Sequence, residues 1–253
     1  MPQPVPILVP IAVAGLLGLI VGSFANVVIW RLPRGESLVF PASHCPTCGH
    51  RLGACDLIPV LSWLLLRGRC RYCRQPISRF YPLVEGITGV TFAALVAVHG
   101  PTWRAAGYAL FAVILITAAG TDIKLHLIPN RLTLPAIALG LIWSAAIQTP
   151  RFGSTLAGLL ISGSLFLLIA AISRGGMGGG DVKLAAAVGA FLGLQHSLLA
   201  LFLAFILGAL AGLVLIAAGR KKRKDHIPFG PFIAAGCLAA MLFGDVILRW
   251  YLG

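Results

Sequence analysis

The chain has 253 residues, of which 58% are hydrophobic and only 11% are charged. Globular domains carry about a quarter charged residues, so this composition excludes a single soluble core and indicates a membrane-integral protein. A net charge of +13 would suggest nucleic acid in a soluble protein. Here no basic, aromatic-interleaved surface or nucleic-acid fold signature accompanies the charge, and nucleic-acid binding is set aside.

Apolar runs of about eighteen or more residues read as membrane-spanning helices. The pattern predicts an all-α polytopic membrane protein with about eight of them, at 5–30, 81–99, 104–120, 132–148, 154–173, 182–194, 197–218 and 229–250. The first run follows no Lys or Arg, precedes no small-residue cleavage site and is too long for a signal-peptide core, so it reads as a retained helix. Residues 182–194 span only thirteen positions, roughly 20 Å of helix against a hydrocarbon core of about 30 Å. A short span with local bilayer thinning is favoured over a re-entrant segment, because re-entry would put Arg220–Lys224 outside. No internal repeat is evident.

With the N-terminus outside, the loops alternate in charge. Inside fall Arg31, Arg34, Arg51, Arg67, Arg69, Arg71, Arg74, Arg79, Lys124, Arg131, Arg174, Lys183 and the cluster Arg220–Lys224; outside fall only Arg104, Arg151 and Arg249. Seventeen of twenty basic residues thus lie on the side that the positive-inside rule makes cytoplasmic. The basic cluster at 220–224 reads as a topology anchor held by anionic lipid.

The only sizeable hydrophilic segment, 31–80, reads as a small cytoplasmic module. It holds two C-x-x-C pairs, Cys45/Cys48 and Cys70/Cys73, separated by twenty-one residues. Two residues between thiolates let both grip one tetrahedral ion from a single tight turn. Disulfides are the alternative, but a cytosolic loop is reducing, and no βαβ pattern suggests a redox pair. The spacing therefore predicts a structural zinc site with four thiolates and no open position. Cys55 and Cys237 stand outside it as ordinary packed residues.

Only seven acids occur: Glu36, Asp56, Glu85, Asp122, Asp181, Asp225 and Asp245. Acids at membrane depth are costly and usually serve a pathway, a partner or catalysis. Asp122 follows the apolar run 108–120, and Asp181 follows the glycine run 175–180; both fall at the expected cytoplasmic boundary, fifty-nine residues apart. Two carboxylates brought close share a proton, so one can activate water while the other polarises a carbonyl. The competing reading makes each a helix cap, or an ion partner of Lys124 or Lys183 two residues on. Asp56 and Asp225 are candidates for recognising a basic peptide, and Asp245 reads as structural. His126 and His226 receive no role.

Several ordered motifs resemble the type IV prepilin leader peptidase family, over nearly the whole chain. Gly22-Ser-Phe-Ala-Asn-Val-Val28 with Arg31-Leu-Pro33 resembles its first helix and exit, and the cysteine pairs with Asp56–Trp63 resemble its zinc-bearing loop. Asp122 with Ile128-Pro-Asn130 and Leu132–Pro135 resembles the first catalytic block. Gly178-Gly-Gly-Asp181 resembles the G-x-G-D block, and Ile227–Phe232 the last signature. One departure is Ser78-Arg-Phe-Tyr-Pro82, with an aromatic where the family commonly has Arg.

The resemblance implies a GxGD-type aspartyl endopeptidase of the bacterial inner membrane, its active site at the cytoplasmic face. Asp122 and Asp181 would be the catalytic pair. Its substrates would be type IV prepilins or type II secretion pseudopilins, from which it removes short basic leaders after a glycine. For members with the cysteine loop it also implies methylation of the new N-terminus with S-adenosylmethionine, for which Glu85 is the candidate cofactor-region residue. No Rossmann-type glycine turn for that cofactor occurs. The implied domains are a first helix at 1–30, the zinc-binding, methyltransferase-associated module at 31–80 and the peptidase domain at 81–253. Two rivals remain: a small-solute or ion transporter, which needs midplane acids and an internal repeat, and a non-catalytic pilus-assembly scaffold.

Overall fold

A computed structural model describes residues 7–173, 176–220, 222 and 227–252. Arg174, Gly175, Lys221, Arg223, Lys224, Asp225 and His226, all named above, lie outside the described residues. The chain divides into two compact units, Met1–Pro101 and Thr102–Gly253. Seven of the described helices are long and apolar enough to cross a membrane, which makes this a multi-pass membrane protein. Among the described residues there is no strand, only two isolated bridges.

The first unit holds α1 (Leu8–Arg31), the short α2 (Leu61–Leu65) and α3 (Phe80–His99). α1 and α3 meet along small residues. A Cβ on Gly18 would lie 2.7 Å from the Thr88 carbonyl oxygen, and one on Gly22 2.8 Å from Glu85 Cα. With lipid as apolar as leucine, such close backbone approach is what drives spanning helices together. One turn on, the buried Asn26 donates from Nδ2 to the Tyr81 carbonyl at 3.1 Å.

The second unit holds α4 (Trp103–Leu125), α5 (Asn130–Ile147), α6 (Phe152–Ile172), α7 (Gly179–Ala217) and α8 (Gly230–Leu252). Its core is built on Phe111, Leu115, Leu184, Val188, Leu201, Ile233 and Met241, with Phe111 stacked on Phe191 at 4.3 Å between centroids. α4 runs five residues beyond the expected end at 120, because Thr121 and Asp122 are packed inside rather than released to water. It stops at His126, whose φ of 51° closes the last turn through a bond from its amide to the Asp122 carbonyl.

The two helices expected at 182–194 and 197–218 are the arms of one element. α7 is 39 residues long and breaks at Gly193 (φ 72°, ψ −179°). A break at membrane depth must find partners for the backbone groups it frees. The Leu194 N–H bonds Ser154 Oγ at 3.0 Å, and Ser197 Oγ bonds the Leu194 carbonyl at 2.9 Å. The first arm, 179–192, is about 21 Å long. Its residues Leu184, Ala185, Ala187, Val188, Ala190 and Leu192 are at most 2% exposed, so protein rather than lipid surrounds this short segment. Gly189 crosses Gly158 of α6 so closely that a Cβ would lie 2.2 Å from the Gly158 carbonyl.

At the opposite end of this unit from Asp122, Asp245 joins three helices. Its carboxylate meets Arg104 at 2.9 Å and His196 Nε2 at 2.9 Å.

Candidate active site and metal centre

Asp122 sits in the last turn of α4 and is 7% exposed. Its Oδ2 accepts the backbone N–H of Gly230 at 2.8 Å. Gly230 opens α8, where the first amides have no partner within the helix and the helix dipole favours negative charge. A Cβ on Gly230 would lie 2.9 Å from that same oxygen, so only glycine lets the amide reach. The motif Ile227–Phe232 was recognisable in the sequence, but its physical task was not.

Asp181 is the third residue of α7 and half-buried. Its Oδ2 accepts the Gly178 N–H at 3.1 Å, so the capping role weighed for it from sequence is present. Lys183 does not serve as a local partner: residues two apart on a helix point to different faces, and its Nζ donates to Asn130 Oδ1 at 2.7 Å. A Cβ on Gly180 would lie 2.9 Å from Ile128 Cβ and 3.0 Å from its carbonyl oxygen. Through these two contacts, the start of α7 is held against the segment that leaves Asp122. Both carboxylates are thus gripped on one oxygen by a glycine amide at a helix start.

In the first unit, the sulfurs of Cys45, Cys48, Cys70 and Cys73 all lie within 4.8 Å of one another, with no disulfide. Each pair sits in the same kind of turn. The Cys45 N–H bonds the His50 carbonyl and the Gly49 N–H bonds the Cys45 carbonyl; Cys70 with Gln75, and Arg74 with Cys70, repeat the pattern. The residue after each second cysteine has positive φ, Gly49 at 71° and Arg74 at 62°.

Four thiolates around zinc at about 2.3 Å stand about 3.8 Å apart in a tetrahedron, and Cys45 Sγ to Cys73 Sγ is 3.8 Å. The Cys48 amide, helped by that of Thr47, lowers the Cys45 thiol to about 6. Although the Gln75 amide acts to lower Cys73, burial and the neighbouring thiols push it up to about 11. A cluster that readily takes one negative charge and resists the next calls for a cation, so the residues fit a metal ion.

The second turn is braced by Asp56, which accepts from Arg71 Nε (2.6 Å), Tyr72 Oη (3.0 Å) and the Gly53 N–H (3.1 Å). The Arg71 guanidinium holds its carboxyl below the usual range. The His50 and Tyr72 rings, one from each turn, lie 3.6 Å apart between centroids. Asp56, a candidate for recognising a basic peptide, is therefore occupied within its own module. Glu85, 8% exposed on α3, accepts the Val60 N–H on Oε2 at 2.7 Å; sequence reasoning had no signal for that contact. Cys237 is fully buried and Cys55 exposed, both outside the cluster.

The model for the type IV leader peptidase family matches residues 109–213, and that for the bacterial peptidase A24 N-terminal domain matches residues 16–99. The chain is 40% identical to a prepilin leader peptidase/N-methyltransferase of Bacillus subtilis, over 94% of this chain and 96% of the relative. It is 37% identical to one of Aeromonas hydrophila, over 94% and 92%. The chain belongs to the type IV leader peptidase family. Membership makes it a peptidase, and the first unit corresponds to the family's N-terminal domain. A Pseudomonas aeruginosa member of the same name is 35% identical over 94% of this chain and 91% of its own. No solved structure matches the chain significantly.

Proposed function

We propose that this chain is an aspartyl endopeptidase of the bacterial inner membrane. It removes basic leaders from type IV prepilins and type II secretion pseudopilins at the cytoplasmic face, and N-methylates the new N-terminus. The observation that carries the reading is the pair of buried and half-buried carboxylates, Asp122 and Asp181, each held by a glycine amide on helices tied together at Ile128 and Asn130. The relatives' names support the substrate class. The basic residues Lys124, Arg131 and Lys183 beside the pair support the cytoplasmic side.

In this mechanism one carboxylate takes a proton from water as its oxygen attacks the scissile carbonyl carbon. The other, protonated, hydrogen-bonds the carbonyl oxygen as charge develops. Collapse breaks the C–N bond and delivers a proton to the leaving amine. Cys45, Cys48, Cys70 and Cys73 would hold zinc, which would supply a structural cross-link between the two turns. S-adenosylmethionine would supply the methyl group for the second activity, with Glu85 in the region that serves it. Glu85 acts in the methyltransferase half as a positioning residue, through Val60.

The test compares cleavage of a purified prepilin by the wild type, Asp122→Asn and Asp181→Asn, all in detergent and equally folded. Activity in the wild type alone supports the pair. Undiminished cleavage by either variant breaks the pair, and inactivity of all three on a validated substrate returns the transporter and scaffold readings.

A further inference from the structure

The five-residue helix α2 has a bare apolar side. Leu61, Leu64 and Leu65, at i, i+3 and i+4, are 49%, 58% and 74% exposed, and Leu57 and Ile58 just before them are exposed as well. In a water-borne loop such a stripe is costly, since apolar surface gains by leaving water. Two contacts fasten this loop to a candidate membrane span and its approach.

Val60, which opens α2, has φ 60° and ψ −50°, a conformation that β-branched residues rarely adopt. It is held there by Glu85, whose Oε2 accepts its N–H at 2.7 Å. Glu85 is the sixth residue of α3, about 8 Å beyond the start of that spanning helix. The loop residue bonded to it therefore sits level with the second turn of a membrane span. α2 is fastened at its middle too: Trp63 Nε1 donates to the Ile77 carbonyl at 3.1 Å, and the Ile77 N–H to the Gly68 carbonyl at 2.7 Å, three residues before α3 begins.

The charges that follow α2 along the chain are basic. Arg67, Arg69, Arg74 and Arg79 are exposed, and Asp56 is already taken by Arg71. A leucine face at headgroup depth, rimmed by guanidinium groups, matches a leaflet of anionic lipid: apolar contact below, phosphate contact above. We propose that α2 is an interfacial anchor, inserting Leu61, Leu64 and Leu65 into the cytoplasmic leaflet and pinning the metal-binding module to anionic headgroups. The Glu85–Val60 bond sets its depth.

The experiment uses the full chain in nanodiscs, with Leu65→p-benzoylphenylalanine as the reporter, Leu61→p-benzoylphenylalanine as a second, and Gln75→p-benzoylphenylalanine in the second cysteine turn as the control. After irradiation, mass spectrometry reads phospholipid adducts, each variant being compared at equal bound metal. Adducts form at positions 65 and 61 and not at 75. Their yield falls about fivefold when phosphatidylglycerol is replaced by phosphatidylcholine, in keeping with about 1 kcal/mol per basic residue near an anionic surface. Adducts to protein alone, from a second copy or a partner, would overturn the proposal. So would equal labelling at position 75, or a yield indifferent to lipid charge.

Discussion

Gly230 donates its backbone N–H to Asp122 Oδ2 at 2.8 Å, across 108 residues of sequence. The bond fixes one oxygen of the carboxylate, and the absence of a side chain at Gly230 makes it reachable. In Gly230→Ala the added Cβ must push Asp122 away. A hydrogen bond to a charged group is worth about 1.5–3 kcal/mol, so kcat should fall roughly 10- to 150-fold, with KM little changed. Steady-state kinetics on a prepilin substrate reads the split. A kcat within twofold of wild type would remove Gly230 from the catalytic support.

The membrane spans were legible because apolar runs are long and the few charges fall between them. Asp122 and Asp181 stood out as candidates because a chain with seven acids leaves few others, and because glycine-rich and cysteine motifs are local. What stayed hidden is non-local. Gly230 on Asp122 and Arg104 on Asp245 join residues more than a hundred positions apart with no periodic signal. The end of α4 was set too early because a polar pair, Thr121 and Asp122, reads as a boundary unless tertiary burial is known. Val60, a β-branched residue, gives no hint of positive φ, and its amide is held by the distant Glu85 carboxylate.

The metal should serve the module and not the peptide-bond chemistry. Treatment with a strong chelator, or Cys70→Ser, should release the metal and loosen residues 45–76. Elemental analysis and hydrogen exchange would read this, while Asp122 and Asp181 keep the cleavage step. Thiolates must be deprotonated to bind. With Cys45 lowered to about 6, metal affinity should weaken as pH falls through that region and strengthen above it. Cleavage that vanishes in step with metal loss would show that the two are coupled.

Asp56 gives a different pH signature. Its carboxyl is held below the usual range by Arg71, then by the Gly53 amide and Tyr72. Its stabilising effect is therefore present above the unfolded value of about 3.9 and is lost as pH falls through the lower folded value. Between pH 8 and 5 the deficit of Asp56→Asn relative to wild type should be modest and flat. Thermal unfolding of the module at fixed metal load would check it. A deficit that disappears by pH 5 would mean the carboxyl is not held down.

Asp245 should behave unlike Asp122 and Asp181, the proposed catalytic pair. Its bonds to Arg104 and His196 fasten α4, α7 and α8 at the far end of the unit. A partly exposed pair is worth about 1 kcal/mol at most, so Asp245→Asn should lower the unfolding temperature while cleavage stays within about fivefold of wild type. An inactive but well-folded Asp245→Asn would give that cluster a catalytic part.

The position of Asp181 depends on how the short arm of α7 is seated, and Gly189 decides that. Eight residues along from Asp181, it crosses Gly158 where a Cβ would meet the carbonyl carbon and oxygen at 2.2 Å. No rotamer can relieve a clash with backbone, so Gly189→Ala must separate α6 from the arm. The break at Gly193 lets the arm shift while 194–217 stays in place. Overpacking of this kind costs about 1–3 kcal/mol, and a displacement of about 1 Å at a catalytic group can cost about 100-fold in rate. The variant should lose more in kcat than its fall in unfolding temperature accounts for, whereas Gly179→Ala, at a position open to space, should lose little. Equal effects from the two substitutions would show that Asp181 is positioned by its own turn and not by the seating of the arm.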